Sequence, residues 1–324
     1  CPRSRSNREI FCSNAEYGRC AAVRHVFIIN PRAGKQDQTA RIYAMADALR
    51  TRHGLACECL LTSGPGGGTE LARRAAESGE EVRLYACGGG GTIFEGLAHA
   101  AMTCIPAGTG NDFLKNFGDQ MPLFSDAENL WDGDVHTLDL IDCNGRLCTT
   151  IACNGIDAQV AESVHRYGAF PLLSGRGSYL CSVAVNFLFK GIGHCWTVSL
   201  DGREETGEYA LVSMCNGRYY GGGSTPVPQA RMDDGVLHTV LIKKVGRATF
   251  ARLFPAYSAG DLDGLPPELI RVSTAREVRI RAERDIVSCV DGECFRSREV
   301  VMTLSDKKLR FFGPKGCDPN ATAT

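Results

Sequence analysis

Apolar and polar residues alternate differently in the two halves of the chain. Three continuous apolar runs in the first half predict buried strands, at 26–30, 55–62 and 82–86. Two segments between these runs have apolar residues at helical spacing, 40–52 and 69–76. Gly54 supplies a stop signal for the first helix. This order predicts a parallel sheet with right-handed crossovers.

The pattern changes after a predicted short helix at 126–131 and a strand at 135–141. From 147 to 240 strand-like runs dominate, interrupted by an apolar stretch at 179–190. That stretch is too short to cross a bilayer, which takes about 20 residues, and we interpret it as a buried helix. Further on, two short runs predict a hairpin that leads into Asp291-Gly292-Glu293, at 278–282 and 287–290.

These patterns predict an α/β protein of two domains. The first is an N-terminal parallel-sheet domain at 25–138, completed by a return of the chain at 300–313. The second, at 139–299, is a strand-rich domain resembling a β-sandwich. We expect loose termini at 1–24 and 314–324.

A glycine-rich turn follows the third predicted strand, where Gly88 to Gly91 precede Thr92 and a short helical pattern. Glycine has no Cβ and tolerates positive φ, so backbone N–H groups there can approach an anion closely. A helix start at the same point favours negative charge. A second small-residue turn, 108–113, follows another apolar segment. The two turns together indicate phosphate binding, although a plain strand-to-helix loop remains the alternative for each.

Composition limits the class of protein. The 324 residues are 44% hydrophobic and 23% charged with a net charge of −1, which is typical of a globular protein without a general attraction for nucleic acid. No apolar run approaches a membrane span, and no secretory signal pattern opens the sequence, so we expect a cytoplasmic protein. The 16 cysteines include no Cys-x-x-Cys pair, which argues against zinc and for reduced, packed thiols.

Four stretches, in this order, resemble the diacylglycerol kinase catalytic-domain family, which includes bacterial lipid kinases and sphingosine kinases. They are Asn30-Pro31-Arg32-Ala33-Gly34-Lys35, the turn from Gly88 to Thr92, Gly108-Thr109-Gly110-Asn111-Asp112-Phe113, and Asp291-Gly292-Glu293. The resemblance covers roughly 25–314.

This resemblance implies an ATP-dependent lipid kinase that uses Mg²⁺ and takes a lipid alcohol from a membrane surface. It implies Glu293 as the general base. It also implies a nucleotide site built from Asn30, Thr62, Gly88, Gly89, Gly90, Gly91, Thr92, Gly108, Thr109, Asn111 and Asp112. The protein would lie in the cytoplasm or peripherally on the membrane, and a homodimer is compatible with the sequence.

The resemblance assigns further roles in the second domain, each with a structural alternative. Asp139 would lie near the acceptor lipid, or would be an ordinary aspartate at a strand end. Asp234 and the carbonyl of Val236 would hold a magnesium ion, although Arg231 occupies the third ligand position. The alternative for that segment is a simple Asp-Gly turn. Separately from the resemblance, a short run of basic residues would touch anionic headgroups or form a solvated face, Lys243, Lys244 and Arg247.

The chain departs from the family at Gly90, where relatives have an aspartate, and the segment from Glu95 to Pro106 is shorter. We therefore predict impaired transfer of a phosphoryl group from ATP to diacylglycerol or a related long-chain alcohol. A catalytically silent relative that binds nucleotide or lipid is the first alternative. An NAD kinase is the second, and the 108–113 and 291–293 motifs argue against it.

Overall fold

The structure of the chain, a computed structural model, describes residues 23–322 except for a few segments. Those segments are 35, 65, 78, 89–99, 107–110, 168–192 and 263. Predictions for Gly89, Gly90, Gly91, Thr92, Gly108 and Thr109 therefore lie outside the described residues. The same holds for the predicted helical segments at 93–98 and 179–190.

The first sheet has six strands. Five come from the N-terminal part of the chain, β1 (Arg24–Ile29), β2 (Ala56–Leu61), β3 (Val82–Gly88), β4 (Ala100–Pro106) and β5 (Val135–Leu138), and the sixth is β15 (Leu309–Phe312). Their order in the sheet is β2-β1-β3-β4-β15-β5. The helices are α1 (Thr39–His53) and α2 (Gly67–Ala76). Three 3₁₀ turns lie between β4 and β5, Leu114–Asn116, Gly118–Ser125 and Ala127–Asn129. The predicted strand and helix order is confirmed.

The core of this sheet forms where the sequence is continuously apolar. β1 is buried from its second residue to its last, as expected for a central parallel strand covered on both faces. α1 buries Ile42, Ala46 and Leu49 at helical spacing, and ends at Gly54, whose φ of 68° is left-handed. Burying the side chains of Ile42 and Leu49 contributes roughly 1.5–3 kcal/mol each.

The second sheet has nine strands paired in antiparallel fashion, in the order β12-β11-β10-β8-β13-β14-β6-β7, with β9 against β10 and β13. The strands are β6 (Ile141–Cys143), β7 (Arg146–Cys148), β8 (Ile151–Gly155), β9 (His194–Leu200), β10 (Arg203–Cys215), β11 (His238–Lys243), β12 (Ile270–Thr274), β13 (Glu277–Val290) and β14 (Glu293–Leu304). The helices are α3 (Ile156–Tyr167) and α4 (Arg247–Ala259). The α/β fold with a strand-rich second part is confirmed.

This sheet has a hydrophobic cluster on each face. Neighbouring residues of one strand contribute to different clusters, as Ala152 and Cys153 do in β8. One cluster contains Trp196 and Tyr209, and the other contains residues of α3 and α4 such as Ile156 and Phe250. The helices therefore cover one face of the sheet.

Several predicted elements of the second part were wrong. The segments 278–282 and 287–290 do not form a hairpin but belong to one strand, β13, whose register shifts between Arg281 and Ile286. The exposed polar residues at this irregularity resembled a turn. The helices α3 and α4 were not predicted, because α3 begins directly after Gly155 without a polar break.

The C-terminal part also differs from expectation. The final strand, β15 (Leu309–Phe312), joins the first sheet between β4 and β5, but 300–304 ends β14 in the second sheet. The tail beyond it is packed rather than loose as far as residue 322. Asn320 is 8% exposed, and its side chain accepts from the Met232 N–H and donates to Asp233, both at 2.8 Å.

Within the described ranges, no helix combines the length and the apolar character that a membrane crossing requires. Twelve cysteines fall in these ranges, all as free thiols, and most of them are buried as predicted.

The first sheet contains a buried histidine that makes its stability sensitive to acid. His25 Nδ1 lies 2.8 Å from the Tyr85 hydroxyl, and burial, with the charge of Arg83, lowers the pKa of His25 from 6.5 to about 4. The unfolded chain therefore takes up this proton first as the pH falls. The neutral histidine's contribution is complete above pH 6.5 and is lost between pH 6.5 and 4.

We expect His25 to lower the free energy of unfolding by about 2 kcal/mol between pH 7 and pH 5. His25→Gln cannot titrate and should lack this component. Urea unfolding of the unmodified protein and of His25→Gln at the two pH values measures this component. All other groups titrate in both proteins, so the difference between the two losses in the free energy of unfolding belongs to His25. An equal loss in both proteins would refute the assignment.

Candidate functional site

Asn30, Thr62 and Gly88 lie together at the carboxyl edge of the first sheet. The N–H of Asn30 donates to the carbonyl of Cys87 at 3.0 Å, and the N–H of Thr62 donates to that of Ile29 at 2.9 Å. Gly88 ends β3 and is buried. Ligands of open parallel sheets bind at this edge, so the first parts of the predicted nucleotide site share the expected location.

Asn111 and Asp112 lie just before the first 3₁₀ turn, and their side chains have different surroundings. Asn111 is 4% exposed, and its Oδ1 accepts from the Leu114 N–H at 3.1 Å. In the described part of the chain, its Nδ2 has no hydrogen-bond partner. A buried donor left unpaired costs about 1–3 kcal/mol, which indicates a position that a ligand oxygen would satisfy.

Asp112 connects the two halves of the chain. One carboxylate oxygen pairs with Lys115, and the other accepts from the Gly222 N–H at 2.8 Å. Both oxygens have protein donors in the structure.

Asp291 anchors the turn that carries Glu293. Its carboxylate accepts from the N–H groups of Thr149, Thr150 and Ile151 at 2.6, 3.0 and 3.2 Å, and from the Thr149 hydroxyl at 2.7 Å. The φ of Asp291 is 45° and that of Gly292 is 99°, both left-handed, which gives a two-residue hairpin turn. Glu293 begins β14 and is exposed. Its catalytic role remains a prediction.

A short chain of hydrogen bonds joins this turn to the Asn111–Asn116 segment. The carbonyl of Thr150 accepts from the N–H groups of Asn216 and Gly217 at 2.8 and 3.0 Å. The next residue, Arg218, donates its N–H to Asn116 Oδ1 at 3.0 Å. A Cβ on Gly217 would lie 2.8 Å from the Thr150 methyl group, so only glycine fits there. We call this set of contacts the interdomain junction.

Asp139 is buried, with 3% of its surface exposed, and its partners are structural. One carboxylate oxygen pairs with Lys308, and the other accepts from the Gly235 N–H at 2.7 Å. Its carbonyl accepts from Asn216 Nδ2 at 2.8 Å. These contacts favour the strand-end alternative over contact with an acceptor.

Asp234 and Val236 lie in an exposed turn. Asp234 Oδ1 accepts from the Val236 N–H at 3.0 Å, and Arg231 lies 3.4 Å from Asp233. The part of the chain that the structure describes contains no group of three His, Cys, Asp or Glu side chains able to hold a metal. Two oxygen donors beside a guanidinium match a resident Mg²⁺ poorly. The proposed phosphoryl transfer therefore does not involve a magnesium ion bound at this turn. The assignment of the two ligands remains a prediction.

The basic residues after β11 have partners within the protein. Lys243 pairs with Glu205 and lies 4.0 Å from the centre of the Tyr209 ring, and Lys244 pairs with Glu208 at 2.6 Å. This arrangement favours the solvated-face alternative for both lysines.

Sequence reasoning missed the residues that hold these segments together. Asn116, Lys308 and the anchoring role of Asp291 carried no recognisable signal, because their partners are more than 100 residues away. The crowding around Gly217 gives a physical reason for a glycine directly after Asn216.

Comparison with known proteins places the chain in a family. The diacylglycerol kinase catalytic domain matches residues 24–143, and the YegS C-terminal NAD kinase beta sandwich-like domain matches residues 150–312. The chain belongs to this diacylglycerol kinase and YegS-like family of lipid kinases.

Individual relatives agree with this assignment. A Pseudomonas fluorescens protein named "Probable lipid kinase YegS-like" is 31% identical over 87% of this chain and 93% of its own length. A Mycobacterium tuberculosis diacylglycerol kinase is 32% identical over 66% of this chain and 70% of its own. The crystal structure of a diacylglycerol kinase from Bacillus anthracis matches the fold with a TM-score of 0.62, at 18% identity, over 90% of this chain and 97% of that one.

The turn at Asp234 provides a test of the metal prediction. Arg231→Asp would add a third oxygen ligand, and a second carboxylate, so we expect Mg²⁺ without nucleotide to stabilise this variant and not the unmodified protein. At ten times its dissociation constant, Mg²⁺ should contribute about 1.4 kcal/mol, or roughly 2–4 °C in Tm.

Thermal unfolding in Mg²⁺ and in EDTA measures the effect. Arg231→Ala is the matched control, because it removes the guanidinium without adding a ligand. An equal Mg²⁺ effect on the unmodified protein would show that Asp234 and Val236 already hold the ion.

Proposed function

We propose that the protein is an ATP-dependent lipid kinase that phosphorylates the hydroxyl of diacylglycerol or a related long-chain alcohol. The interdomain junction is the observation that carries this proposal. It ties the Asn111–Asn116 segment, at the nucleotide side, to the turn of Glu293 through contacts of Asn216, Gly217 and Arg218. Phosphoryl transfer depends mainly on positioning and electrostatics, which a fixed junction provides.

The nucleotide would bind at the carboxyl edge of the first sheet, with Thr62 and Thr109 beside it. Backbone N–H groups from Gly88 to Thr92 would hold its phosphates. The Asn111 Nδ2 group, which has no hydrogen-bond partner among the described residues, supports this location, since a phosphate or ribose oxygen would satisfy it. ATP would arrive as its Mg²⁺ complex, so the ion enters with the substrate.

Glu293 would remove the proton from the lipid hydroxyl while the hydroxyl oxygen attacks the γ-phosphorus of ATP. The new P–O bond forms while the bond to the bridging β,γ-oxygen breaks, and ADP leaves. The exposed start of β14 would allow an amphipathic alcohol to reach this carboxylate from a membrane surface. Asp291 would position Glu293 without taking part in the proton transfer.

A silent nucleotide- or lipid-binding protein is the second candidate function, and Gly90 favours it. Gly90 lies outside the described residues, and the family has an aspartate at this position. Losing one electrostatic contributor to a transition state costs about 10²–10³ in rate.

We expect Gly90→Asp to raise lipid phosphorylation by at least about tenfold, because it restores this contributor. Transfer of labelled phosphate from ATP to a panel of lipids in mixed micelles measures the rate. Equal rates at saturating ATP and lipid would show that position 90 does not limit this protein.

Glu293→Gln tests the proposed base in the more active of the two forms at position 90. We expect transfer to fall by about 10²–10⁴, since the amide cannot accept the proton. ATP binding, measured by calorimetry at millimolar nucleotide, should persist because backbone amides hold the phosphates.

Glu283→Gln, in the exposed irregular part of β13, is the matched control and should leave both quantities unchanged. A Glu293→Gln protein that retains transfer would exclude Glu293 as the base. Absence of ATP binding in every form would contradict the nucleotide site itself.

A further inference from the structure

Three cysteines form a row across three neighbouring strands of the second sheet. Cys153 in β8 is the register partner of Cys289 in β13, and Cys289 is the partner of Cys294 in β14. Directly opposed residues of antiparallel strands point to the same face, so the three thiols adjoin one another. Cys153 and Cys289 are buried and Cys294 is half-buried. α3 covers this row, and the Cys294 thiol donates to the Ala158 carbonyl at 3.8 Å.

The position of the hairpin turn shows which type of strand pair Cys289 and Cys294 form. Val290 and Glu293 flank the two-residue turn, so Cys289 and Cys294 form the next pair along the ladder. In a hairpin with a two-residue turn, the first pair is hydrogen-bonded and the second is not. The Cα atoms of a non-hydrogen-bonded pair are about 4.5 Å apart, within the range of about 4.4–6.8 Å that a disulfide needs.

The backbone contacts of β13 agree with this alternation. The Asp291 N–H donates to the Ile151 carbonyl of β8 at 3.2 Å, so odd-numbered residues near this end of β13 face β8 with their backbone groups. Cys289 and Cys153 therefore form a hydrogen-bonded pair, in which the Cα atoms are farther apart. Cys289 and Cys294 form a non-hydrogen-bonded pair, in which the Cα atoms are closer. The narrow pair is the better suited to a disulfide.

The thiols are protonated in the resting state. The contact with Cys153 and burial raise the pKa of Cys289, and the contact with Cys289 raises that of Cys294. Neutral thiols react slowly, so the pair stays reduced until a thiol oxidant is supplied, and faster reaction is expected at higher pH.

We propose that Cys289 and Cys294 are a site of reversible disulfide formation at the base of the Asp291–Glu293 turn. With glutathione disulfide as oxidant, the Cys294 thiolate attacks one of its sulfurs and releases one glutathione. The Cys289 thiol then loses its proton and attacks the Cys294 sulfur, which releases the second glutathione. Two protein thiols are oxidised and one glutathione disulfide is reduced to two thiols.

Mass spectrometry of the whole folded chain tests the disulfide without any assay of activity. The protein is incubated with glutathione disulfide at pH 8.5, alkylated and digested. We expect the segment spanning Cys289 and Cys294 to be unalkylated and lighter by two hydrogen atoms, and dithiothreitol to reverse this. Cys57 and Cys59, on the same face of one strand, should remain alkylated as an internal control.

Two variants make the result decisive. Cys294→Ser, at the half-buried position, should abolish the mass loss, whereas Cys195→Ser, which removes an exposed thiol of β9, should leave it unchanged. Alkylation of both Cys289 and Cys294 after oxidation would overturn the proposal. So would a bridge between Cys153 and Cys289, a mass loss seen only in urea-unfolded protein, or glutathione adducts in place of the bridge.

A consequence for catalysis rests on the proposed function. A disulfide brings two sulfur atoms to about 2.05 Å, which draws Cys294 from α3 and shifts Glu293 beside it. We expect oxidation to lower lipid phosphorylation at least twofold in the more active form at position 90, and not in its Cys294→Ser derivative. If oxidation lowered lipid phosphorylation equally in both forms, the link between the disulfide and catalysis would be overturned. The mass measurement is independent of activity, so failure of the kinase proposal leaves the disulfide test intact.

Discussion

The arrangement of the interdomain junction depends on the carboxylate of Asp291. It accepts four hydrogen bonds from consecutive residues, three from backbone N–H groups and one from a hydroxyl. Those N–H groups precede and begin β8, and the carboxylate accepts from them in the place of strand carbonyls. The same segment then presents the Thr150 carbonyl to Asn216 and Gly217. Removing this one acceptor would leave four donors of residues 149–151 without their partner.

Acidic groups around the junction are neutralised by cations of the same chain. Lys115 pairs with Asp112, and Lys308 pairs with Asp139, which is almost fully buried. A buried carboxylate is tolerated only when it is paired and hydrogen-bonded, and Asp139 also has the Gly235 N–H. These pairs fix the relative positions of elements distant in sequence. They also leave less uncompensated negative charge for a bound cation than the acidic residues alone indicate.

Local sequence patterns predicted the first sheet well and the second poorly. The apolar run of β1 and the spacing of Ile42, Ala46 and Leu49 are local signals, and the structure contains both elements. The register shift in β13 exposes polar residues that imitate a turn, and α3 follows β8 without a break. For the site, motifs predicted the shared edge of Asn30, Thr62 and Gly88. The contacts of Asn116 and Lys308 join residues remote in sequence, so no local pattern could predict them.

The insertion of β15 between β4 and β5 has a consequence for the order of folding. The strands on either side of it are synthesised before the second sheet, and the strand that joins them is synthesised after it. While the second domain is being synthesised, β4 therefore presents an unpaired edge of a buried, apolar strand. Such an edge is a site for pairing with other chains. A fragment that stops before β15 would retain this edge permanently, so the first domain is a unit in space but not in sequence.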